Sequence, residues 1–220
     1  FKSLGAAAVE VTGNLKFDNM PDTAQLARGD AWRERWGRSR PVLLCASTRE
    51  GEEALLLQAL RKIDMPDLLT VIVPRHPQRF DEVAALIERA GISCQRRSDD
   101  RPVTAETRIV LGDSMGEMAA YYAACDVTII GGSLLPFGAQ NLIEACAVGR
   151  PVIVGPSTYN FDEAAQLAID AGAAVRVADA QDAIGAAREL LLNPERARRM
   201  GQSGLDFTRS HRGATARALQ

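Results

Sequence analysis

From Pro41 onward the sequence alternates short, continuously apolar runs with segments of helical periodicity, and this alternation constrains the fold more than any other feature. Pro41–Ser47 (PVLLCAS), Leu68–Val73, Ile92–Arg96, Arg108–Leu111, Val127–Ile130, Pro151–Val154 and Ala174–Val177 read as strands. Glu50–Ile63, Arg79–Ala90, Gly116–Ala124, Asn141–Ala147 and Asp162–Ala171 read as helices, three of them followed by Gly91, Gly149 and Gly172 as C-cap residues. Helical sequence fills most of the rest. Strands apolar on both faces belong to a sheet covered on both sides. The expected fold is therefore α/β, a Rossmann-like parallel sheet with helices on both faces. Residues 1–40 break the pattern. There Val9–Thr12 reads as a strand, Asn14–Asp18 as a loop and Asp22–Trp36 as a helix with Trp32 and Trp36 one turn apart. The expected division is a lead-in at 1–40 packing on the main domain, a Rossmann-like domain at 41–192, and a helical tail at 193–220.

In open sheets of this kind, ligands bind beyond the carboxyl ends of the strands. Polar and glycine residues gather there. Ser47, Thr48, Arg49, Glu50 and Gly51 follow the first strand, Arg75, His76 and Pro77 the second, and Gly112–Glu117 (GDSMGE) the fourth. The fifth strand runs into GGSLLPFGAQNLIEACAVGRPVIVGPSTYNF, from Gly131 to Phe161. A glycine turn such as Gly131, Gly132 and Ser133 lets backbone N–H groups approach a ligand, and the helix behind it adds its positive end. Asn141 and Glu144, three apart, face one space from that helix. A carboxylate accepting two hydrogen bonds suits a ribose diol.

Several of these segments have a plain structural reading as well. Ser47–Gly51 either surrounds an anion or supplies an N-cap with Glu50–Glu53 favouring the helix dipole. Arg75 and His76, bracketed by Pro74 and Pro77, read as a phosphate or carboxylate clamp. Gly112–Glu117 either caps the next helix or approaches a ligand, with Met115 covering a flat ring or filling core. His211 reads as part of an Arg-rich tail. The tail from Asn193 reads equally as a helix crossing to another domain or as a solvated helix.

Bulk properties exclude several classes. A net charge of −2 over 220 residues argues against non-specific nucleic-acid binding as the main task. No run reaches the roughly 18–20 apolar residues of a membrane span. The chain opens without Met and without a basic-then-apolar leader, so it is expected to be a fragment. Cys45, Cys94, Cys125 and Cys146 lack CxxC pairing and are expected to be buried thiols. There is no P-loop, GxGxxG, GxSxG elbow or His/Cys cluster, so no cofactor and no metal is expected. No pair of carboxylates stands out as an acid/base couple.

As an ordered set, VTGNLKFD (Val11–Asp18), ASTREGEE (Ala46–Glu53), PRHPQRF (Pro74–Phe80), GDSMGEM (Gly112–Met118) and the Gly131–Phe161 run resemble the C-terminal half of bacterial 3-deoxy-D-manno-octulosonic acid (Kdo) transferases. These are inverting glycosyltransferases of the GT-B fold. The resemblance implies Kdo transfer from CMP-Kdo to the lipid A precursor at the cytoplasmic side of the bacterial inner membrane. It implies that this half holds the donor nucleotide, while the catalytic base, the acceptor groove and the membrane association belong to an N-terminal domain. It places Ser47, Arg49, Glu50 and Gly51 near the phosphate and sugar, and makes Arg75 and His76 an anion clamp. It sets Met115, Gly116 and Glu117 beside the cytosine and Asn141 and Glu144 on the ribose and phosphate side, with Gly132 and Ser133 in the turn. The family often has His where Arg49 stands, and GGHNPLEP where this chain has GAQNLIEA. Gln140 therefore cannot carry a proton at its position. The alternatives are another GT-B member, such as a UDP-sugar transferase or UDP-sugar 2-epimerase, and a stand-alone nucleotide-binding module.

Overall fold

The computed structural model describes Gly5 and residues 15–215, so the strand expected at Val9–Thr12 lies outside the described residues, as does Asn14. Seven parallel strands form one sheet: β1 Val42–Thr48, β2 Leu69–Pro74, β3 Cys94–Arg96, β4 Ile109–Leu111, β5 Val127–Ile130, β6 Val152–Val154 and β7 Ala174–Arg176. Their spatial order is β3-β4-β2-β1-β5-β6-β7. The helices are α1 Thr23–Trp36, α2 Glu52–Leu60, α3 Phe80–Arg89, α4 Met118–Ala124, α5 Ile143–Ala147, α6 Asp162–Asp170, α7 Ala180–Leu192 and α8 Pro194–Ser210.

The central strand explains why its sequence is apolar throughout. Val42, Leu44 and Ala46 join the apolar layer beneath α1, α4, α5 and α6. Leu43 and Cys45, one residue out of phase, join the layer beneath α2, α3 and α7. From β1 the chain builds outward through β2, then returns to lay β5 on the other flank of β1. The helices after β1 and β5 lie on opposite faces of the sheet, and a crevice opens at this reversal of strand order.

Several expectations are corrected at the periphery. Leu15–Asp18 is a 3-10 turn, not a loop. It buries Phe17, whose ring lies 5.3 Å from that of Phe207 and 5.1 Å from that of His211. Helix α1, N-capped by Asp22 through a 2.9 Å bond from Ala24 N–H, packs on α4 and sends Trp32 and Trp36 into the apolar layer of β1. The two backbones meet at Gly29, where a Cβ would stand 2.3 Å from the Ala120 carbonyl oxygen. The tail helix α8 is packed on the domain. Gly201 sits against Gly149, Gly204 against Cys146, and Phe207 is buried. Cys45, Cys125 and Cys146 are buried, and burial raises each thiol, but Cys94 is exposed on the edge strand.

Candidate functional site

The carboxyl ends of β1, β2, β4 and β5 enclose a cleft of about 280 Å³. Of the residues nominated from the sequence, Ser47, Arg75, Met115, Gly116, Glu117, Asn141 and Glu144 line it. Arg49, Glu50, Gly51, His76, Gly132 and Ser133 do not. Ser114, from the Gly112–Glu117 segment, lines it too, together with Gln140, Tyr121 and Tyr122.

Ser47 reaches the cleft through a backbone kink. Its φ of 56° is left-handed, and the pairing of β1 with β2 shifts register between Ala46 and Thr48. Such a conformation costs a non-glycine residue on the order of 1 kcal/mol or more and persists only where neighbours impose it. The neighbour here is Gly131, on which a Cβ would lie 2.3 Å from the Ser47 carbonyl oxygen. The glycine lets the β5 turn pass directly over the end of β1.

The amides of the two turn glycines are already used, Gly131 N–H by the Ala46 carbonyl at 2.7 Å and Gly132 N–H by Glu52, which corrects the reading of them as ligand donors. The fully buried Glu52 carboxylate accepts the N–H of Gly132 at 2.7 Å, of Leu134 at 3.0 Å and of Arg49 at 2.8 Å. Burial raises the Glu52 carboxyl, and these amides partly offset the rise. Ser133 Oγ donates to the Ile130 carbonyl and accepts Gly155 N–H at 2.8 Å. The turn is thus an anion nest whose anion is a side chain of the protein itself.

The helix behind the turn also starts later than expected. It begins at Ile143 and runs five residues, leaving Gln140 and Asn141 in the loop. Asn141 Oδ1 accepts Ile143 N–H at 3.1 Å, and its Nδ2 donates to Glu144 Oε1 at 2.9 Å. That bond holds both side chains toward one space. Gln140 Oε1 accepts Arg75 Nε at 3.1 Å, extending the polar wall across the crevice to β2. Burial raises the Glu144 carboxyl, opposed by Asn141 and Arg75.

Behind the opposite wall, Arg79 grips the buried Glu53 with two bonds of 2.7 and 3.0 Å, and Thr48 Oγ1 donates to the same carboxylate at 2.7 Å. This ties the start of α2 to the turn before α3, and so fixes the loop that carries Arg75. The N-cap of α2 is Gly51, with no side-chain cap, so neither Ser47 nor Thr48 plays that part. Glu52 and Glu53 hold the loops together and do more than complement a helix dipole. The two carboxylates carried too little local signal to reveal this, because their partners are remote in sequence.

On the β4 side, Glu117 Oε1 accepts Arg28 at 2.7 Å and Arg97 at 3.2 Å, and Ser114 Oγ donates to Oε2. Its carboxylate is committed to holding the loop. Met115 is 57% exposed at the mouth. Arg49 lies over the Phe137 ring at 4.5 Å. Among the described residues no His, Cys, Asp and Glu side chains cluster in metal-binding number, and no helix is long and apolar enough to cross a membrane.

Comparison with known proteins places this geometry. Residues 54–206 match the family described as Glycosyl transferases group 1. A 3-deoxy-D-manno-octulosonic acid transferase of Bordetella pertussis is 48% identical over 98% of this chain and 51% of its own length. One from Haemophilus influenzae is 36% identical over 96% of this chain and 50% of its own length. The chain thus spans about half the length of the curated relatives it matches. Among solved structures, the C-terminal CMP-Kdo binding domain of WaaA from Acinetobacter baumannii is 32% identical with a TM-score of 0.81. The match covers 84% of this chain and 98% of that one.

Proposed function

The chain belongs to the Kdo transferases, within the group 1 glycosyltransferases, and from that premise we propose that it is the donor-binding half of such an enzyme. The cleft takes the CMP part of CMP-Kdo. Glu144, oriented by Asn141, accepts the ribose hydroxyls, and Arg75, steadied by Gln140, faces the phosphate. Met115 and Gly116 border the base, and Glu117 holds their loop. Ser47 contributes a polar edge from β1, while Arg49, Glu50, Gly51 and His76, which follow β1 and β2 without lining the cleft, are assigned to the sugar and phosphate end of the donor. Gly132 and Ser133 act indirectly, through the geometry of the turn.

In the reaction this half stabilises charge on the departing CMP. A cation held in place before reaction stabilises the leaving phosphate without reorganising at the transition state. Gln140 holds Arg75 and carries no proton. The general base that deprotonates the acceptor hydroxyl belongs to the other half of a full-length enzyme, which also binds the lipid A precursor at the cytoplasmic face of the inner membrane. This chain alone binds the nucleotide and transfers no Kdo.

One observation carries the reading: four strand ends, remote in sequence, bring one arginine, one half-buried carboxylate and two amides into a single cleft. Calorimetric titration with CMP, UMP and UDP tests it. CMP is expected to bind more tightly than either uridine nucleotide. Preference for UDP points to a UDP-sugar enzyme and overturns the CMP assignment, and Kdo transfer by this chain alone overturns the division of labour.

A further inference from the structure

The Gly112–Glu117 loop is open at its apex and fastened at its ends. Met115 stands exposed, and Gly116, at a φ of 77°, has open space where a Cβ would stand. The fastenings are side chains. Asp113 accepts the N–H of Ser98 at 2.8 Å and its hydroxyl at 2.6 Å. Glu117 Oε2 accepts the Ser114 hydroxyl across the apex, and Oε1 accepts Arg28 Nη1 at 2.7 Å and Arg97 Nη2 at 3.2 Å. Arg28 comes from α1, 89 residues before Glu117, and Arg97 from the turn after β3. Neither lines the cleft. Helix α1 supports both arginines, because the Arg97 guanidinium lies 4.9 Å from the ring centre of Trp32, one turn beyond Arg28 on the same face.

We propose that Arg28 and Arg97 are positioning residues for nucleobase recognition, setting the apex at Met115 and Gly116 through Glu117. This rests on the nucleotide reading of the cleft. Cytosine carries an amino donor where uracil carries a carbonyl acceptor, so telling them apart requires polar groups fixed to a fraction of an ångström. An apex without packing takes that fixity from its anchors. Without the two arginines, Glu117 keeps only Ser114, a member of its own loop, and this end of the loop loses its ties to α1 and to the β3 side. The lead-in helix is then part of the donor site, although it touches no ligand.

The test is Arg28→Gln, Arg97→Gln and the two together, read by calorimetry with CMP and UMP and by the Met115 and Gly116 amide shifts without ligand. The Arg28 side chain is 48% exposed, so its replacement is expected to leave the fold intact. The ratio of CMP to UMP affinity decides, because general destabilisation lowers both affinities alike. That ratio is expected to fall in each single variant and roughly tenfold in the double variant, about the value of one hydrogen bond. Both amide shifts are expected to move. An unchanged ratio, including an equal fall of both affinities, overturns the proposal and leaves the CMP reading intact. If the wild type prefers UMP, the CMP reading falls, and the proposal stands or falls on whether the double variant narrows that preference. If it binds neither nucleotide, both fall.

Discussion

Gly132 donates its backbone N–H to Glu52 at 2.7 Å across 80 residues of sequence, so the turn after β5 is held by the first turn of α2. The same carboxylate takes Leu134 and Arg49. In many α/β proteins such a nest receives a ligand phosphate. Here it is filled from within, and the ligand-facing work passes to side chains further along, from Gln140 to Glu144.

Glu52→Gln tests this. The amide nitrogen of Gln must face at least one of the N–H groups that Glu52 now accepts, leaving a buried donor unpaired. A loss of about 1–3 kcal/mol is expected from the denaturant midpoint, with unchanged m. The amides of Gly132 and Leu134 are expected to exchange faster with solvent. The pH sign follows from burial, which raises the folded Glu52 carboxyl above its ordinary 4.5. The folded state therefore holds the proton more tightly, and stability declines as pH rises from 4.5 through the folded value. The Gln variant is expected to lose that part of the slope; an identical slope rejects the assignment.

Arg79 and Glu53 form the other brace, with side-chain exposures of 7% and 0%. Arg79→Met leaves a buried carboxylate held by Thr48 alone among its side-chain partners. It is expected to destabilise the chain by about 3–5 kcal/mol, the usual cost of breaking a buried pair from one side. Arg79→Met with Glu53→Gln is expected to lose clearly less than the sum of the two single variants. Additivity within about 0.5 kcal/mol in that cycle shows that the pair is not coupled.

These two carboxylates also show where sequence reading reaches its limit. The strands were legible because a strand buried on both faces must be apolar at every position, as β1 and β5 are. The convergence of Ser47, Arg75, Asn141 and Glu144 was legible because parallel topology sends all strand ends to one edge. The destination of each backbone amide was not. Nothing local in EGEE distinguishes a carboxylate that complements a helix from one buried against a turn 80 residues away. Helix α5 is shorter than its sequence suggests because the Asn141 side chain takes the Ile143 N–H from the preceding loop. Tyr121 and Tyr122 are alike in the sequence, and only packing sets the Tyr121 hydroxyl 3.2 Å from Ser114 Oγ. Cys94 is exposed, unlike the other three thiols, because its strand lies at the sheet edge.

Glu144 offers a test within the site. Burial raises its carboxyl above the ordinary 4.5, so acidification neutralises it earlier than an exposed glutamate. CMP affinity is expected to fall as pH drops through that raised value. Glu144→Gln is expected to bind roughly tenfold more weakly at neutral pH, having lost a charged hydrogen bond. The ratio of wild-type to variant affinity, in which the ligand's own titration cancels, is expected to shrink toward acid pH. A ratio independent of pH removes the carboxylate from the binding site.

Asp18 supplies the opposite pH sign. Its carboxylate accepts the hydroxyl and N–H of Thr215 and the N–H of Gly213, each at 2.6 Å, joining the start of the described chain to its end. The Thr215 hydroxyl, followed by these amides, lowers its pKa from 3.8 to about 2. The stability it contributes is therefore complete above 3.8 and is lost as pH falls through about 2. This is the reverse of Glu52 and Glu144, whose burial favours the protonated folded state. The Gly213 and Thr215 amide shifts are expected to titrate together near pH 2, and Asp18→Asn is expected to abolish that step while leaving CMP binding unchanged. A midpoint near 3.8 in the folded protein means that these bonds do not hold the two ends together.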